Sequence, residues 1–260
     1  MLAVRTRCLL TAACFVASAV VLAARAPGGG GPSGTLYPWW TWLVVIAGTA
    51  GALAPLLVAH RPRLVAAAPA LTGVLALHLA GTGVVAWKHW RPVSGMAGIG
   101  IGHLPALEAA ALAMAAAGLL AAALSAMPLL RQLGRTGEGG WRARCALAGV
   151  AVLLLVPAGL GLADAELRDL TSAGAIGLIY AGPWAAGLLA AAVLPRPAAQ
   201  GAVLGVALTA ALAAVGPQML DLLPSGPASV VFASVLVVAL LVAPREPHST
   251  SAPAAESRVG

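Results

Sequence analysis

Long apolar runs, parted by short polar breaks, set the plan of this chain. Eight of them occur, over about residues 8–24, 39–60, 64–87, 104–130, 145–163, 172–194, 199–220 and 226–243. Their continuity argues against lipid-facing β-strands, which alternate apolar and polar every two residues. A helix needs about 20 apolar residues to cross the hydrocarbon core. The pattern therefore predicts an all-α integral membrane protein, a polytopic bundle of about eight transmembrane helices spread over residues 1–243. The tail, 244–260, is rich in Ser, Pro and Ala and reads as disordered and cytoplasmic.

Residues 61 to 131 organise the rest. Two long runs there are joined by a segment rich in titratable groups, Trp87-Lys88-His89-Trp90-Arg91, then a Gly-rich passage ending at His103. The spacing predicts a membrane hairpin with a polar outer loop. Trp39, Trp40 and Trp42, and again Trp87 and Trp90, mark interfacial ends, because indole rings favour the headgroup region.

Composition agrees with the pattern. Hydrophobic residues make up 60% of the chain, charged residues 9%, and the mean hydropathy is +0.94. A soluble domain carries about 25% charge, so too little polar surface exists here to face water. The formal charge of +7 does not indicate nucleic acid, since the cations fall singly between apolar runs. Alternating the spans from a cytoplasmic N-terminus puts Arg5, Arg7, Arg61, Arg63, Arg131, Arg135, Arg142, Arg144, Arg196, Arg245 and Arg258 inside. Only Arg25, Lys88, Arg91 and Arg168 then lie outside. The skew follows the positive-inside rule and predicts both termini in the cytoplasm of a bacterial plasma membrane. Arg-, Ala- and Gly-rich usage suggests an actinobacterial source, by association alone. Residues 1–26 read either as a retained helix or as a signal cut after Ala24-Arg25-Ala26, and both leave residues 27–38 outside.

Two halves of four spans are also legible. Arg5-Thr6-Arg7-Cys8 opens the first span and Arg142-Ala143-Arg144-Cys145 the fifth. Arg61-Pro62-Arg63 and Pro195-Arg196-Pro197 form the second turn of each half, at nearly the same offset along the chain. Such a 4+4 parallel repeat would place its axis along the membrane normal.

Chemistry is sparse. Cys8, Cys14 and Cys145 form no C-x-x-C pair, which speaks against a thiolate metal site. No nucleotide-binding glycine motif occurs, and Ser94 has no histidine in a later span to serve as its base. His78 and His89 stand about 16 Å apart along a helix, too far to share an ion. No catalytic residue, metal or cofactor is implied. The candidate substrate-binding residues are His78, Lys88, His89, Arg91, His103 and Glu108, read as a basic outer vestibule for an anionic solute or a lipid headgroup. Interfacial anchoring explains the same Lys, Arg and Trp residues without any ligand.

The leading expectation is a permease-like or transport-complex membrane subunit. A non-catalytic accessory or scaffold protein comes second, and an intramembrane enzyme acting on a lipid-linked substrate third. Expected partners are the lipid bilayer, other membrane subunits, and a cytoplasmic protein at the basic loop 131–144. Nucleic acid is not among them.

Overall fold

The computed structural model describes residues 3–23, 40–94, 104–131, 141, 144–152 and 173–215. Among these residues the elements are helical: α1 (Val4–Ala23), α2 (Trp40–Leu57), α3 (Pro62–Ser94), α4 (Leu104–Leu130), α5 (144–152), α6 (Ala173–Val193) and α7 (Arg196–Val215). No strand occurs among them. Val4–Ala23, Pro62–Val84 and Glu108–Leu130 are long and apolar enough to cross a membrane, and Thr41–Leu57 and Ala181–Val193 are shorter apolar helices. The eighth run, most of the fifth and the tail lie outside the described residues.

Proline sets two of the helix starts. The carbonyl of Arg61 accepts from Val65 N–H at 3.1 Å, and that of Pro195 accepts from Ala199 N–H at 2.9 Å. Pro62 follows the first of these carbonyls and costs no hydrogen bond, because the first N–H groups of a helix have no intrahelical acceptor. The result is two tight helical hairpins, α2–α3 and α6–α7.

α3 is the hub. It packs against α2, α4, α6 and α7, and no described side chain from Val65 to Trp87 is exposed. With α1 it also takes part in a ring, in which α1 touches α2, α2 touches α3, α3 touches α4, and α4 returns to α1. Phe15, Val44, Leu75, Leu79 and Met114, each fully buried, fill that ring.

Glycine sets the helix spacing and the registers. A Cβ on Gly83 would lie 2.6 Å from the Ala115 nitrogen, and one on Gly118 2.6 Å from the Ala80 nitrogen. The α3 and α4 backbones thus touch, and they run antiparallel. On the opposite side of α3, Gly201 abuts the Ala67 carbonyl and Gly205 meets Leu71 and Val74. Both positions advance together, so α3 and α7 run parallel.

The interior is small and the surface large. More than half of the buried apolar residues described are alanine, whereas Leu9, Val16, Val20, Ile46, Leu112, Leu119, Leu120 and Leu204 are exposed. In water, such a surface would cost about 25 cal/mol per Å². In lipid it costs nothing, and small interior residues let helices close on one another. This distribution fits membrane association.

One boundary departs from the sequence expectation. Residues 88–94, expected in a loop, continue α3 as helix. Nothing between Val84 and Arg91 breaks a helix, and Pro92 falls in the last turn, where the one carbonyl it leaves without a donor lies near the helix end. At 33 residues α3 is about 50 Å long, so it outreaches a hydrocarbon core of about 30 Å.

Candidate functional site

The α3–α4 register decides which candidates meet. Gly83 lies against Ala111 and Ala115, so one further turn brings residues 87–91 level with Glu108. Lys88, His89 and Arg91 therefore occupy the last turns of α3, at the same end of the hairpin as Glu108, which is half-buried. His78 is not with them. It sits about 15 Å down α3 from Lys88, only 2% exposed, at the level of Leu75 and Leu79. His103 lies outside the described residues. The structure thus groups four of the six candidates at one end and leaves His78 inside the packed ring. Among the described residues no group of three His, Cys, Asp or Glu could hold a metal ion.

A second polar set lies at the opposite end. A half-open cavity of about 20 Å³ occupies the ring, lined by Arg7, Cys8 and Thr11 of α1, Pro55 of α2, Thr72 of α3 and Ser125 of α4, among others. That volume holds about one water. Thr11 Oγ1 donates to the Arg7 carbonyl at 2.9 Å. Thr72 Oγ1 donates to the Ala68 carbonyl at 2.9 Å and lies 3.0 Å from Ser125 Oγ, a hydrogen bond that ties α3 to α4. Phe15 closes the ring further along, its ring seated against Gly48 where no side chain intervenes.

Sequence reasoning took Arg7 for a topology signal and passed over the hydroxyls. Its only clue was a prolyl residue in two neighbouring spans, Pro55 and Pro69, which also lines the cavity. Convergence of several helices on one point is not encoded in any local pattern.

Charge separates along the bundle. Arg5, Arg7, Arg61, Arg63, Arg131 and Arg196 lie at the end where α1, α3 and α7 start and α2 and α4 stop. Lys88, Arg91 and Glu108 lie at the other. No family model, curated protein or solved structure matches this chain significantly.

Proposed function

We propose that the chain is a multi-pass protein of a bacterial plasma membrane, permease-like or the membrane subunit of a transport complex, built as two four-helix halves. The observation that carries this reading is the α3–α7 seam. Ala67 meets Gly201 and Leu71 meets Gly205. Each of these pairs is separated along the chain by the same step that separates the Arg61 and Pro195 turns. Parallel halves related by an axis along the membrane normal bring equivalent residues face to face beside that axis. The seam between such halves is where a solute path opens when one half rocks against the other. The arginine-bearing end faces the cytoplasm under the positive-inside rule, and Lys88, His89, Arg91, His103 and Glu108 belong to the outer end. Phe15, fully buried in the ring, supports a retained first helix over a cleaved signal.

One observation favours a second reading, a non-catalytic accessory protein. α3 is sealed on all sides over its described middle, and the lined cavity holds only about one water. α2 and α7 also touch only marginally, whereas α3 and α6 pack closely, so the two halves do not pair evenly.

Locking the seam separates the two. A Cβ on Gly205 would lie 2.9 Å from the Val74 Cβ across the α3–α7 seam, close enough for a disulfide after a small shift, so Val74→Cys with Gly205→Cys can be oxidised together. In a strain lacking the gene, a transport role predicts that the oxidised pair loses complementation and that reductant restores it. Full complementation by the demonstrably crosslinked protein sinks the moving-halves reading and leaves the accessory one.

A further inference from the structure

We propose that the cavity at the arginine-bearing end of the α1–α4 ring is a binding site for a small monovalent anion of about chloride size. The site is distinct from the outer Lys88–Glu108 group, which stands at the other end of the same helices.

Arg7 carries the argument. Its side chain is half-buried, lines the cavity, and has no hydrogen-bond or ion-pair partner among the described residues. Such a residue is partly withdrawn from water with no compensating partner, which carries a cost. The one carboxylate among the described residues, Glu108, lies well before Ser125 on α4, about 25 Å away along the helix. A mobile anion is the counter-charge that fits. The donors at hand are the guanidinium and the Cys8 thiol, while Ser125 gives its hydrogen to Thr72, whose own hydroxyl donates to the Ala68 carbonyl. Thr11 already donates to its own helix, so it fixes the wall and does not compete.

Size sets the class. About 20 Å³ admits one water-sized or slightly larger ion. Gluconate is far larger than one water. The low-dielectric walls, with Ala52, Pro55, Pro69 and Leu124 among them, strengthen the attraction relative to water.

The test uses the full chain in detergent, with sodium held constant while chloride replaces gluconate, and follows the thermal midpoint. The expected result is a saturable rise with chloride or bromide that is lost in Arg7→Gln and retained in Arg131→Gln, an exposed arginine at the same end. A rise of equal size in Arg7→Gln, or none in the parent protein, overturns the proposal. Stabilisation by phosphatidylglycerol micelles without any chloride response assigns the cavity mouth to lipid and overturns it too. Should Arg7→Gln fail to fold, line broadening of the chloride nuclear resonance by the parent protein decides. Broadening reversed by excess bromide upholds the site, and a line as narrow as with the denatured protein rejects it.

Discussion

Single glycines fix how close the helices come. Gly83 and Gly118 face backbone atoms at 2.6 Å, and backbone cannot swing aside as a side chain can. Gly83→Ala or Gly118→Ala should therefore push α3 off α4 and cost about 1–3 kcal/mol, the usual range for overpacking. Gly149 and Gly182 meet nothing within 4 Å. Alanine there should be neutral or gain about 0.5–1 kcal/mol, since it removes backbone freedom from the unfolded chain. Thermal midpoints of the four detergent-purified variants make the comparison, and equal losses at all four positions would refute the contact assignment. The Thr72–Ser125 bond is a smaller matter. Interhelical hydrogen bonds in membranes average about 0.6 kcal/mol, so Thr72→Val should lower the midpoint only slightly.

Among the elements, α3 bears the greatest packing load. Leu79 is fully buried in its wall, while Leu119 on α4 is 57% exposed. The chemistry of the two side chains is identical and only the surroundings differ. Leu79→Ala should cost about 2–5 kcal/mol, as buried leucine truncations do, and Leu119→Ala should cost little because lipid refills the space. Midpoints that fall equally would place Leu119 inside a further interface. The same helix shows how far its outer end was readable. Trp87 to Arg91 announced an interface from sequence, because tryptophan and basic residues favour that depth. That the helix continues to Ser94 was not announced, because the same residue types serve a loop or a last helical turn equally well. The six candidate residues illustrate the limit: spacing put Lys88, His89 and Arg91 together and set His78 about 16 Å from His89 along a helix, but only the α3–α4 register brought Glu108 level with them.

At the scale of the molecule, the separation of arginines to one end of the bundle has a direct consequence. Cysteines introduced singly at 135 and 90 should be labelled by a membrane-impermeant maleimide from opposite faces of oriented vesicles. Labelling of both from one face would overturn the threading. The proposed relation of two halves is a second matter of this scale. Parallel packing of α3 and α7 follows from glycines 201 and 205, whereas sequence offered only two proline turns and two Arg-Cys starts as hints.

Composition and run length by themselves determined that the chain is helical and apolar enough for a membrane, because backbone groups in hydrocarbon must be satisfied within each helix and that demand is local. The side expected for each arginine was equally local. Tertiary structure alone decided that α3 stands at the centre, that Gly83 and Gly118 interlock, and that Arg7, Thr72 and Ser125 share one cavity. Helices made largely of Ala, Gly, Val and Leu look alike around their circumference. Which face packs inward depends on partners distant in sequence, and that information exists only once the helices have met.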